Sequence, residues 1–162
     1  MRMLHMMFGF MVSFAIMISL TSAASERSDS VCAENGDAAT NTRNVILAFE
    51  KLAFEERKPK EAMEKYAAAD FFDHNPYVRG DRASVIEHLD RLEWSTGGPQ
   101  RTIRHLVVDG DIAVIHHRLV RKPGDAAIAA VDIFRVENCK LVEHWDVLQP
   151  IPAESVNPRP MF

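Results

Sequence analysis

Two aspartates and a histidine sit where an apolar hairpin would ordinarily carry neither. The stretch DIFRVENCKLVEHWDVLQP, residues 132–150, reads as two strands about a turn. Asp132 lies between Val131 and Ile133, and His144 and Asp146 flank Trp145. A carboxylate raised in pKa by apolar surroundings can remove a proton α to a carbonyl. A second acid or an imidazole can then protonate or hydrogen-bond the enolate oxygen. A buried carboxylate without a partner is costly or stays protonated. A group of them describes either a polar-lined pocket or a core hydrogen bond that does no chemistry.

The turn decides whether the three groups meet. A two-residue loop, Asn138-Cys139, needs positive φ at both residues, which a cysteine resists. A three-residue loop, Glu137-Asn138-Cys139, needs one left-handed residue, in a bulged turn, at about 1 kcal/mol of strain on Cys139. That register sets Val136 opposite Lys140, Phe134 opposite Val142, Asp132 opposite His144 and Asp146 opposite Ala130. One face then gathers Asp132, His144 and Asp146 among Ala130, Phe134, Val142 and Leu148. The other collects Val131, Ile133, Arg135, Leu141, Glu143, Trp145 and Val147, and a slip of one residue would divide the group. Further polar candidates lie upstream. FFDHNP offers His74 and Asn75, and AVIHHRL presents His116 and His117 on alternate faces of a strand.

Those residues need elements to hold them. A helix is expected from a Thr40/Asn41 cap, with Val45, Phe49, Leu52 and Ala53 at helical spacing, stopping before Pro59. A shorter helix follows from Pro59 to about Ala68. After a break at Asn75-Pro76 and Gly80, Asp81 caps a third, carrying Val85, Ile86, Leu89 and Leu92 on one face until TGGP. From Gln100 the period becomes that of strands: RTIRHLVV, a turn at Asp109-Gly110, DIAVIHHRLV, a turn through Lys122–Asp125, AIAAVDIFRV and the last strand. Helices followed by an antiparallel meander give an α+β domain with the helices packed on one sheet face.

Composition is that of one globular domain, with 162 residues, 47% hydrophobic and 26% charged. A formal net charge of −4 without a dense basic block argues against nucleic acid as a partner. The N-terminus carries Arg2, an apolar run from Met6 to Leu20 and small residues 22–24, the order of a signal peptide cut near Ala23 or Ala24. The rival reading is a membrane anchor, but the run is shorter than the roughly 20 residues a spanning helix needs. The expectation is a secreted or periplasmic chain with no stable membrane insertion after cleavage. Residues 25–40 read as a flexible lead, 41–149 as the domain and 150–162 as a Pro-rich tail. Cys32 and Cys139 survive cleavage, and either form one disulfide or remain two thiols.

The run DHNP…G after two helices, then VVDGDIAVIHH and DIFRVENCKLVEHWDV, resembles the SnoaL-like polyketide cyclases of the nuclear transport factor 2-like superfamily over about residues 41–149. The resemblance implies a cone: a curved antiparallel or mixed sheet wrapped by the N-terminal helices (a cystatin-like roll), with the site inside and dimers common. By position it implies Asp146 as general base, with Asp132, His144 and Asn75 on the pocket wall and His74 and His116 as further lining residues. Cys139 stands where the family usually has a turn glycine.

Two functions compete on this reading. One is cofactor-independent acid/base chemistry on a small apolar carbonyl compound: aldol condensation or cyclisation, isomerisation or dehydration. Its catalytic set is Asp146, Asp132 and His144, with His74, Asn75, His116 and Phe134 binding substrate. The other is a non-catalytic domain that holds a small ligand outside the cytoplasm. A metal site is not expected, since no His-x-His or H-E-x-x-H spacing occurs. The stripe Val131, Ile133, Trp145 and Val147 would be a liability if exposed, so a homodimer through the sheet, or a cover by the tail, is expected.

Overall fold

A computed structural model describes residues 31–162, apart from positions 34 and 93. The segment read as a signal peptide, and the first part of the lead, lie outside the described residues.

Helix α1, Ala38–Glu50, begins three residues earlier than its sequence cap suggested, because Asp37 accepts a hydrogen bond from Thr40 N at 2.7 Å. Its buried face carries Val45, Ile46 and Phe49, each worth about 1.5–3 kcal/mol of burial. The helix passes without a break into a π-helical segment, Lys51–Glu55, that buries Leu52 and Ala53. Helix α2, Pro59–Tyr66, starts on its proline as expected. It ends earlier than Ala68, because Ala67–Asp73 forms a strand, β1. Helix α3, Arg82–Asp90, is capped by the Asp81 side chain on Ser84 N.

The remaining strands are β2 (Gln100–Asp109), β3 (Ile112–Val120), β4 (Ile128–Glu137) and β5 (Lys140–Pro150). The sheet order is β1-β5-β4-β3-β2, antiparallel except for the parallel pair of β1 with β5. One face of the sheet packs on the helices through Ala113, Ile115, Phe134, Val136 and Leu141. The α+β architecture is therefore as the sequence implied, with one strand more. The alanines of AAADFFD carry a helical preference that pairing with β5 overrides.

The last hairpin differs from its expected register. Glu137 pairs with Lys140, so the loop is the two-residue Asn138-Cys139, with φ of +48° and +62°. Asparagine tolerates that region, and Cys139 is held there by a disulfide to Cys32, 107 residues away in sequence. The extra residue lies in the strand instead. Val136 pairs with Leu141 but Arg135 pairs with Glu143, leaving Val142 as a bulge. Asp132 consequently faces Asp146, and Phe134 faces His144.

The disulfide also corrects the reading of the lead. Cys32 is buried, and Asn41 Oδ1 accepts from Ala33 N at 3.0 Å, so the lead is tied down at these two residues. Residues 151–162 form no helix or strand. Among the described residues no helix is long and apolar enough to cross a membrane.

Candidate active site

A cavity of about 540 Å³ lies between the helices and the inner face of the sheet. Phe49, Met63, Phe71, Phe134 and Leu141 line its apolar depth. Its polar wall is built by alternation along three strands. Asp132 comes from β4, His144 and Asp146 from β5, and His117 from β3. Leu141 takes the wall position expected of Val142, because the bulge exchanges their faces.

Asp132 is the hub. Its Oδ2 accepts from Arg101 Nη2 and lies 3.0 Å from His117 Nε2, while Oδ1 stands 3.6 Å from His144 Nε2. Burial would raise its pKa, but the Arg101 charge, then His117 and His144, hold the carboxyl well below its usual range. Asp132 is thus a fixed anion and a poor base.

Arg101 is buried with it. Its Nη1 lies 3.1 Å from Glu50 Oε1, the last residue of α1, and its guanidinium covers the Phe54 ring at 4.4 Å. Glu50 Oε1 makes no aligned hydrogen bond, and burial, only partly offset by Arg101, pushes its carboxyl up to about 7. His117 Nε2 lies 3.0 Å from both Asp132 Oδ2 and Arg101 Nη2. One ring nitrogen donates to the first or accepts from the second, according to tautomer.

His144 lies between two carboxylates, with Nδ1 3.0 Å from Asp73 Oδ1 and Nε2 toward Asp132. Its ring rests on Phe134, with centroids 4.6 Å apart. Burial alone would lower its pKa, but the hydrogen bonds to Asp132 and Asp73 outweigh that and raise it to about 9. At neutral pH it is an imidazolium facing the cavity.

Asp146 is the next inward position on β5. Asn75 Nδ2 donates to its Oδ2 at 2.7 Å, and Asn75 Oδ1 accepts from Tyr77 N at 2.9 Å, which fixes the amide's orientation. The loop that carries Asn75 is closed by Asp73 N donating to Gly80 O at 2.7 Å. Gly80 has φ +98°, and a Cβ there would strike the Phe72 ring at 2.7 Å, so glycine is required.

The structure therefore brings Asp132, His144, Asp146, Asn75 and Phe134 to one cavity wall, as expected. It does not bring His74 or His116 there. His74 lies flat on Trp145, with centroids 4.6 Å apart, and pairs with Glu143 at 3.5 Å. His116 points to the opposite side of the sheet, where its Nδ1 meets His105 Nδ1 at 3.1 Å. Strand alternation sends His117 inward in its place. Asp73, Arg101 and Glu50 were not anticipated. Glu50 had a legible signal, since it lies four residues after Ile46 and three before Ala53, on the apolar face of its helix. Asp73 had none once β1 was overlooked. Among the described residues no group of three or more His, Cys, Asp and Glu side chains is arranged to hold a metal ion.

A helix-wrapped mixed sheet with a closed polar wall defines a nuclear transport factor 2-like α+β domain, and comparison with known proteins agrees. A family model described as a SnoaL-like domain matches residues 46–144, more than half of the chain. The chain belongs to the SnoaL-like family. No curated protein sequence matches it. Among solved structures, a nuclear transport factor 2-like protein of unknown function from Mesorhizobium loti superposes with a TM-score of 0.59 at 19% identity, covering 70% of this chain and 95% of the other. A provisionally assigned SnoaL-like polyketide cyclase from Jannaschia sp. CCS1 gives 0.58 at 14% identity, covering 72% and 91%. A provisionally assigned ketosteroid isomerase from Kribbella flavida gives 0.57 at 20%, covering 76% and 86%. At these identities the likeness is one of fold.

Proposed function

We propose that the cavity is the active site of a cofactor-independent acid/base enzyme acting on an apolar carbonyl compound. The observation that carries this reading is the placing on one wall of an imidazolium, His144, and a carboxylate, Asp146, that has no cationic partner among the described residues. Asp146 removes a proton from the carbon α to the carbonyl, and the C–H electron pair becomes the enolate. His144 hydrogen-bonds or protonates the enolate oxygen as charge develops there. Return of the proton at another carbon is isomerisation, whereas attack of the enolate on a second carbonyl is aldol closure. Asp132 holds the imidazolium in place and takes no proton itself. The structural neighbours provisionally assigned as a polyketide cyclase and a ketosteroid isomerase share the fold that supports this reading.

The direct test is deuterium uptake. In heavy water the protein should exchange the α-protons of bound ketones, followed by proton NMR. Asp146→Asn should slow exchange by at least about 100-fold while its melting temperature stays near that of the wild type. Undiminished exchange in that variant would remove Asp146 as base. The competing reading is a non-catalytic domain that holds a small ligand, favoured by the fact that Asp132 is already fully engaged by Arg101, His117 and His144. Binding by the wild type without any exchange would select it.

Two further features belong to the proposal. The apolar N-terminal run with its small-residue site, together with a disulfide of the kind that oxidising compartments sustain, supports export to the periplasm or beyond. The outer sheet face supports a homodimer: Val147 is 66% exposed and Val107 61%, beside Val131, Ile133 and Trp145. Light scattering should give the mass of two chains, and a one-chain mass would rule the dimer out.

A further inference from the structure

Six formally charged side chains line the cavity: Asp73, Arg101, Arg121, Asp132, Asp146 and the His144 imidazolium. Four of them neutralise one another. Asp132 pairs with Arg101, and Asp73 pairs with His144. Asp146 takes a neutral amide donor from Asn75, and Arg121 makes no ion pair with any described residue. The two uncompensated charges are of opposite sign, and they stand at opposite ends of the cavity.

Their separation follows from the sheet. Ile115 on β3 is level with Asp132 and hence with Asp146. From Ile115 the inward positions run through His117 and Leu119 to Arg121, six residues or about 20 Å of strand. The arginine stem shortens that span by several ångströms. Leu119, Leu148 and Pro99 line the space between. Arg121 itself is exposed, where the cavity opens to solvent. Every carboxylate that lines the cavity (Asp73, Asp132 and Asp146) belongs to the β1, β4 and β5 wall, and none stands beside Arg121 at the mouth.

We infer that the natural ligand is two-ended: an apolar carbonyl compound that bears a carboxylate at the end remote from the carbonyl, with Arg121 as its anchor. A guanidinium offers a planar fork of donors that matches a carboxylate in two parallel hydrogen bonds. The apolar middle of the ligand fills the leucine-lined span, and the carbonyl end reaches the wall of Asp146 and His144. Which end reaches that wall rests on the acid/base reading above, whereas the anchor rests on the cavity alone.

The test uses medium-chain keto acids whose ketone lies remote from the carboxylate, and their methyl esters, titrated calorimetrically into the full protein. The acid should bind about three- to tenfold more tightly than its ester. Arg121→Gln should abolish that preference and leave ester affinity unchanged. Arg118→Gln removes the same charge from the opposite face of β3 and should leave the preference intact. Equal binding of acid and ester by the wild type, or a preference that survives Arg121→Gln or is lost in Arg118→Gln, would overturn the anchor and spare the acid/base site. Failure of acid and ester alike to bind would overturn both.

Discussion

His116 and His117 are neighbours in the chain and live in opposite settings. His117 is 2% exposed, with Nε2 against Asp132 and Arg101. His116 is half-buried on the outer face, its ring coplanar with that of His105 to within 2°. The centroid separation of 5.4 Å is what the 3.1 Å nitrogen gap plus one ring radius on each side adds to. The two outer rings therefore meet edge to edge, with one Nδ1 donating to the other according to tautomer. Inside, the imidazole belongs to a closed circuit of fixed charges, where loss of any member strands the others without water. Outside, solvent replaces whatever a neighbour fails to supply. Residue type is the same, and the face decides what it costs to change.

The largest expected contrast comes from the hub of the inner circuit. Asp132→Ala leaves the Arg101 guanidinium and the His144 imidazolium buried without their shared anion, and should cost about 3–5 kcal/mol in urea unfolding. Unchanged stability would mean that the circuit is not coupled. Next comes pH. The fold holds the His144 proton up to about 9, against an ordinary value near 6.5, so its contribution is fully present below about pH 6.5 and fades as pH rises through 9. Glu50, raised to about 7 from 4.5, adds an earlier loss between those values. Unfolding free energy should thus decline from mildly acidic to alkaline pH, by roughly 3 kcal/mol at most from His144. His144→Asn should flatten the part of that slope above pH 7, and an unaltered slope would assign it to other groups. The smallest effects test the neighbouring histidines directly. His117→Ala should cost about 1–3 kcal/mol, and His116→Ala should stay within about 0.5 kcal/mol in the monomer. Equal losses would erase the distinction between the faces.

Much of this was legible in the sequence because it rests on periodicity. The three helices, four of the five strands and the inward set of Asp132, His144 and Asp146 follow from spacings of 3.6 and 2. The register did not follow. Steric preference argues against Cys139 at φ > 0, but a covalent tie to Cys32 outweighs a strain of about 1 kcal/mol, and that tie is a long-range fact. Strand β1 was hidden for the same reason, since its partner β5 lies some seventy residues downstream. Arg101 was overlooked because a charged residue in a strand reads as solvent-facing until its partners Glu50 and Asp132 are seen on two other elements.

Val142 is a spare residue in the last hairpin. The expected three-residue loop and the observed bulge both set one residue outside the ladder, so both turn Asp146 and His144 inward, though with different partners and with Leu141 rather than Val142 beside them. Removing Val142 would leave the existing pairs in place, with Arg135 opposite Glu143, Phe134 opposite His144 and Asp132 opposite Asp146. Drawing Val142 into the ladder opposite Arg135 would instead set Asp132 opposite Trp145 and turn Asp146 and His144 to the outside. The strand thus carries slack, as a belt does at its buckle: the wall survives loss of the odd residue but not its pairing.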